Sequence, residues 1–357
     1  MRPRLPHRAT PEELESTLVG RQELAAQLVE DFRTTAQETA ARYAVLLGER
    51  GEGKSHLLAV LAGRLARELQ LTTVYLPTMR VDSLAGFLAA VLEAVPQHHS
   101  LPSPQRQLQQ LWGLPAEEAA RRALRMLDGR AGERGMVLVI DELERVLSSM
   151  RPHSLSQLRA LLQERGRWSI LGAARRLSGV FSDRSQPFFS TFSAHPLPAL
   201  TLQDSIELLS KRGISAHPPW VVDYLKQTGG SPLAVVRLEE ALARRRPGVD
   251  SSPLDEIAER LLGELMQAVD ALPAGQQVAI APLLQADHPM PVREIARRAF
   301  QTPQATSSHL RRIAGAGLLE ATAEGRERLY QLVSPLFRFA VQQTRHAQTR
   351  DPARYTG

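Results

Sequence analysis

Two hydrophobic periods alternate along this chain. Short apolar runs of strand length occur at Tyr43–Leu47, Thr72–Leu76, Met136–Ile140 and Ser169–Gly172. Between them, over 22–32, 55–69, 81–95, 116–128 and 156–165, apolar residues recur every three to four positions. The first pattern predicts strands and the second amphipathic helices. Val137–Ile140 is apolar throughout, which fits a strand buried on both faces. Strands alternating with helices predict an α/β fold built on a parallel sheet. The stretch up to Pro198 reads as loop, and from Thr201 to about Arg246 the pattern is wholly helical. RRRPGVDSSP (Arg244–Pro253) is charged, then rich in Pro, Gly and Ser, and predicts a linker.

Beyond the linker, MPVREIARRAF (290–300) has the pattern of an amphipathic helix. QTPQATSSHLRRIAGAGLLEA follows, with a turn and then a helix that opens near Pro303 and ends near Gly315 and Gly317. LLEATAEGRERLYQL carries strand patterns on both sides of a glycine turn.

Composition narrows the chemistry. The chain has 357 residues, no cysteine and a net charge of +6. Disulfides, thiol catalysis and cysteine zinc sites are therefore excluded. No apolar run reaches the roughly 18 residues that span a bilayer, and MRPRLPHRAT at the start lacks the apolar segment of a signal peptide. A cytoplasmic protein with no membrane partner is expected. Arginine carries nearly all the positive charge, because Lys54, Lys211 and Lys226 are the only lysines. That bias points to nucleic acid only weakly.

One of those lysines stands in GERGEGKS, Gly48 to Ser55, between a predicted strand and a predicted helix. This satisfies G-x-x-x-x-G-K-[ST] in its proper context. Gly48, Gly51 and Gly53 let backbone N–H groups curl around phosphates, and the following helix offers its positive end. Lys54 is expected to reach the β- and γ-phosphates of ATP or ADP, Ser55 to bind Mg²⁺, and His56 to lie next to them. The second half of such a site is an acid at the end of a buried strand. MVLVIDELERV supplies Asp141 for the Mg²⁺ and Glu142 to polarise the attacking water. Glu144 is expected on a solvated face.

Here the residues resemble a family. LVGRQEL (Leu18–Leu24) is similar to the V-G-R-E-x-x-L box of AAA+ and STAND ATPases of the origin-initiator type, which implies that Val19, Gly20 and Arg21 border the adenine. DELERV resembles their Walker B motif. GGSPLAVVRLEEAL (Gly229–Leu242) is similar to the G-x-P motif of their helical lid and places Pro232 near the nucleotide. Where such ATPases often carry a polar sensor residue, this chain has Ala173 and Ala174. Slow hydrolysis by the isolated protein is expected. Arg175 and Arg176 follow at once, as candidates for γ-phosphate contact in their own subunit or a neighbour. They read equally well as two exposed arginines of an arginine-rich chain. Arg184 and Arg237 are weaker candidates of the same kind.

The C-terminal unit resembles the winged helix-turn-helix domain that follows the lid in initiator-type ATPases. The second helix of such a motif enters the major groove. Gln304, Thr306, Ser307, Ser308, His309, Arg311 and Arg312 would present polar side chains there, with Arg326 and Arg328 on the wing. Over 290–315 five arginines face one acid, Glu294.

The expected organisation is an arm (1–13), a P-loop ATPase core (14–200), a helical lid (201–246), a linker (247–254), a winged helix (255–345) and a tail (346–357). In fold class this is a parallel α/β sheet with a helical lid, followed by an α+β winged helix. Two functions are compatible with it. One is an ATPase switch on double-stranded DNA that forms homo-oligomers with ATP and acts on a separate effector protein. The other is a STAND-like signalling ATPase whose winged helix makes protein contacts.

Overall fold

A computed structural model describes residues 9–350, apart from 39, 98–100, 133, 178, 216–217, 245–251, 287 and 325–326. The chain divides into two compact units, one up to Pro198 and one from Ala199 onward.

In the first unit the elements run α1 (Pro11–Ser16), α2 (Gln22–Gln37), β1 (Tyr43–Leu47), α3 (Lys54–Glu68), β2 (Thr72–Leu76), α4 (Leu84–Ala94), α5 (Pro104–Gln109), α6 (Ala116–Ala131), β3 (Met136–Ile140), α7 (Leu143–Ser149), α8 (Pro152–Arg165), β4 (Trp168–Ala174) and β5 (Ser193–Pro196). The five strands form one sheet in the order β2-β3-β4-β1-β5, with every pairing parallel. Alternation along β3 explains why it is apolar throughout. Met136, Leu138 and Ile140 enter the core on one face, with Phe87, Leu127 and Leu158. Val137 and Val139 enter the core on the other, with Leu28, Leu57 and Leu61.

Two expectations change here. The arm predicted over 1–13 ends inside α1 (Pro11–Ser16), whose start is fixed by a capping box between Thr10 and Glu13 and whose Leu14 is buried. The stretch predicted as loop up to Pro198 contains β5, which pairs with β1 from Ala44↔Ser193 to Leu47↔Pro196. Its burial alternates between half-buried and exposed, so it lacks the apolar signature of the inner strands.

The second unit contains α9 (Leu202–Lys211), α10 (Pro219–Gln227), α11 (Pro232–Arg244), α12 (Pro253–Asp270), α13 (Ala274–Ile280), β6 (Met290–Pro291), α14 (Val292–Arg298), α15 (Pro303–Gly315), β7 (Leu319–Glu324), β8 (Glu327–Leu332) and α16 (Pro335–Arg350). The expected linker lies largely outside the described residues, and α12 begins within its last positions. The expected tail starts inside α16. Strands β6, β8 and β7 form an antiparallel sheet in that order. With α14, a turn and α15, this arrangement is compatible with a winged helix. Tyr224 of α10 meets Phe339 of α16 edge-on, with ring centroids 5.0 Å apart and both rings buried, so the helices after Thr201 and the last helix share one core.

The turn between α14 and α15 is unusual. Phe300 has φ 52°, a left-handed conformation that glycine normally supplies at a helix end. For an L-residue that costs about 1 kcal/mol. The ring is 98% exposed, so no packing offsets the cost.

Candidate nucleotide site

The loop between β1 and α3 is shaped by Gly51 and Gly53, at φ 90° and 80°, which only glycine adopts without strain. Gly53 is the residue that leads into α3. Lys54 Nζ donates to the carbonyl oxygens of Gly48 at 2.6 Å and Glu49 at 2.7 Å. The loop is braced further by Glu49 N–H donating to Glu52 Oε2 at 2.7 Å. Burial holds the Lys54 ammonium below the usual lysine range, against the opposing pull of Glu52 and Asp141.

Asp141 follows β3 directly and is anchored by its N–H to Leu76 O at 3.1 Å. Ser55 Oγ donates to Asp141 Oδ2 at 2.6 Å. The two oxygen donors expected to hold Mg²⁺ thus converge on one point, and a hard cation takes such ligands. The residues fit the group. Tyr75 of β2 also bonds Asp141, and burial together with the negative charge of Asp141 raises its phenol pKa.

Glu142 has φ 49°, so the backbone turns sharply between β3 and α7. Its side chain is 40% exposed and pairs with Arg145 Nη1 at 3.0 Å. Glu144 is not on a solvated face, contrary to the expectation from sequence. It is half-buried, its Oε1 accepts the Arg175 N–H at 3.1 Å, and burial pushes its carboxyl pKa up. The missed signal was register. The turn at Glu142 starts α7 at Leu143, two residues later than a helix opening at Asp141 would, and Glu144 then meets the Arg175 N–H at the end of β4.

Ala173 and Ala174 are fully buried, so the end of β4 presents no polar side chain. Arg176 Nη2 donates to Glu49 Oε1 at 3.0 Å, which places it on the rim of the P-loop of its own chain. Arg175 is half-buried and close enough to Lys54 to lower its pKa. Arg184 is exposed.

The box at 18–24 lies beside the loop helix. Val19 is buried, Gly20 has φ 67°, and buried Arg21 donates to Pro198 O at 3.3 Å, tying the box to the segment after β5. His56 shares a hydrogen bond of 3.0 Å with Thr17 Oγ1. In the second unit, Pro232 opens α11 after a turn in which Gly230 O accepts Leu200 N–H at 3.0 Å. A Cβ at Gly230 would lie 2.0 Å from Leu200 O, so glycine is obligatory there. Arg237 is committed elsewhere. It bonds Glu240 at 3.0 Å and also Glu264, while Arg260 reaches Glu240 at 2.6 Å, a cluster that fastens α11 to α12.

On α15, exposure sorts the expected polar row. Gln304, Ser308, Arg311 and Arg312 are exposed. Thr306 is fully buried, with Oγ1 donating to Gln301 Oε1 at 3.3 Å. His309 turns inward, its Nδ1 buried and its Nε2 packed so close to Gly275 that a Cβ there would lie 2.9 Å away. Ser307 is half-buried. Arg328 is exposed on β8, and Arg326 lies outside the described residues. No described helix is long and apolar enough to cross a membrane.

Residues 17–172 match the AAA ATPase domain family. No curated protein matches the chain. Among solved structures, a Walker-type ATPase of Pyrococcus abyssi is similar, with 14% identity over 91% of this chain and 96% of that one, and a TM-score of 0.62. The Orc1 protein of Aeropyrum pernix, solved in complex with DNA, is similar with 19% identity over 94% of this chain and 93% of that one, and a TM-score of 0.54. At such identities the likeness is one of fold.

Proposed function

We propose that the chain is a Mg·ATP-dependent switch that works on double-stranded DNA, a reading supported by the match of residues 17–172 to the AAA ATPase domain family. The observation that carries this reading is the presence, in one chain, of a P-loop site and of a cationic helix face. The site is Lys54, Ser55 and Asp141. The face is the exposed row Gln304, Ser308, Arg311 and Arg312 on α15.

Within the nucleotide site each residue has a task. Lys54 exchanges its carbonyl partners for phosphate oxygens. The N–H groups of the Gly51–Gly53 loop and of the start of α3 surround the phosphates. Ser55 and Asp141 hold the Mg²⁺, which when bound draws charge from the phosphate oxygens. Glu142 takes the proton of the attacking water. With two buried alanines at the end of β4, turnover is slow until a neighbouring subunit completes the site, while Arg175 and Arg176, beside the P-loop of their own chain, are the candidates for a γ-phosphate contact within the subunit. Oligomers form with ATP bound, and an effector protein reads the ATP state.

The experiment is duplex binding across a salt series by the full chain and by an Arg311→Ala/Arg312→Ala variant. Phosphate contacts carry no sequence information, so the double change weakens binding to all duplexes alike. The slope of log K on log salt falls by about 0.9 per lost contact, up to roughly 2. Equal affinity and equal slope would refute the DNA reading and favour the protein-contact alternative.

A further inference from the structure

The end of α14 is closed without help from the Phe300 ring. Phe300 N–H donates to Arg297 O at 3.4 Å and Gln301 N–H donates to Ala296 O at 3.0 Å, the two main-chain bonds that finish a helix through a left-handed residue. Gln301 is fixed from two further sides. Its Nε2 donates to Gly275 O at 3.1 Å, and its Oε1 accepts Thr306 Oγ1 at 3.3 Å. The turn is therefore held in place, and it keeps Phe300 at φ 52° with the ring in solvent. The unbound protein gains nothing from that ring, since glycine fills such a position at lower cost. The ring also stands at the entry of α15. Phe300 is two residues before Thr302, whose Oγ1 caps that helix by accepting Ala305 N–H at 3.3 Å. This is the end that a helix-turn-helix sends into the major groove. The surroundings are cationic. Over 290–315 five arginines stand against Glu294, and that acid is taken by Arg298 at 2.5 Å. Arg297, Arg311 and Arg312 are exposed. An apolar ring set among arginines suits a polyanion that carries apolar groups of its own. The major groove offers one, the thymine C5 methyl, and phenylalanine is among the side chains that contact it.

We propose that Phe300 determines specificity, and that its ring docks on a thymine methyl of duplex DNA where α15 enters the groove. This rests on the DNA reading of the winged helix. Because the turn is fixed before binding, little chain entropy is lost when the ring docks. The contact is apolar and releases no counterion, unlike the phosphate contacts of Arg311 and Arg312.

Phe300→Ala in the full chain removes the ring and keeps the turn. It is compared with the parent and with Arg311→Ala/Arg312→Ala on a mixed-sequence duplex. The same duplex is then used with deoxyuridine in place of every thymine, which deletes the methyl groups alone. Affinities are read across a salt series, together with thermal midpoints. Expected for Phe300→Ala on the thymine duplex is binding weaker by about tenfold, the low end of what burying a phenylalanine ring contributes. Its salt slope and midpoint equal the parent's. The parent loses a similar factor on the deoxyuridine duplex, and Phe300→Ala loses nothing further there. A variant that binds the thymine duplex as well as the parent overturns the proposal, and the DNA reading survives if the arginine variant has lost affinity and slope. A deficit of Phe300→Ala that is equal on the two duplexes places the ring against sugar or backbone and also overturns it. So does a fall in midpoint together with affinity, which assigns the ring a structural role. A parent that binds neither duplex at any salt ends the DNA reading and the proposal together, and leaves the ring to a protein partner.

Discussion

At the scale of single residues, one glycine shows how the site depends on packing behind it. Gly172 lies in β4, where a Cβ would come 2.5 Å from Leu143 Cδ2. Leu143 directly follows Asp141 and Glu142, so its seat against β4 sets the position of both acids. Gly172→Ala is expected to destabilise the first unit by about 1–3 kcal/mol, as overpacking does, and to weaken Mg·ATP binding because the Asp141 turn is displaced. A denaturant midpoint equal to the parent's would show that Leu143 yields without cost. Part of the local geometry was legible in the sequence: Lys54 and Ser55 stand in one run of consecutive residues, whereas the Ser55–Asp141 hydrogen bond is a contact across 86 positions. The environment of Glu144 was not legible, because it depends on a left-handed turn at a non-glycine residue, Glu142, which no local pattern announces. The inward turn of His309 depends on Gly275, far away in sequence.

At the scale of elements, strands β1, β3 and β4 could be read because they lie inside the sheet and are largely buried, which leaves an apolar signature, and edge strand β2 because Thr72–Leu76 is rich in β-branched and aromatic residues. Strand β5 could not. It borders the sheet, its residues Ser193–Pro196 alternate in burial without being apolar, and its pairing with β1 is a long-range fact. The α14–α15 turn offers a test of local strain. Phe300→Gly removes the left-handed penalty but gains chain entropy in the unfolded state. The net effect expected is a stabilisation of about 0.5–1 kcal/mol, read as a higher midpoint for the second unit. Phe300→Ala keeps the penalty and should leave the midpoint near the parent's. Equal midpoints for the two variants would show that the turn is not strained.

At the scale of the molecule, two compact units meet at Pro198 and Ala199 in the sequence. The predicted separation of lid from winged helix did not anticipate the shared core of Tyr224 and Phe339 or the Arg237–Glu240–Arg260 cluster. Helical patterns give amphipathic faces but not their partners. Calorimetric unfolding of the full chain is therefore expected to show two transitions. Mg·ATP at about a hundred times its Kd stabilises the unit that holds the P-loop by about 2.7 kcal/mol and raises its transition. Lys54→Ala abolishes the shift. A single transition moved as a whole would mean that the two units unfold together.

The hydrogen bonds from Lys54 to its own loop have a consequence for the capture of a phosphate. The ammonium already occupies the carbonyls of Gly48 and Glu49, at 2.6 and 2.7 Å, so the loop acts as its own first ligand. A phosphate competes with these two bonds for the ammonium, and its affinity measures the difference between the two sets of contacts. Removing the ammonium frees the two carbonyls and takes away the phosphates' cation, so Lys54 governs both the shape of the loop and the capture of nucleotide.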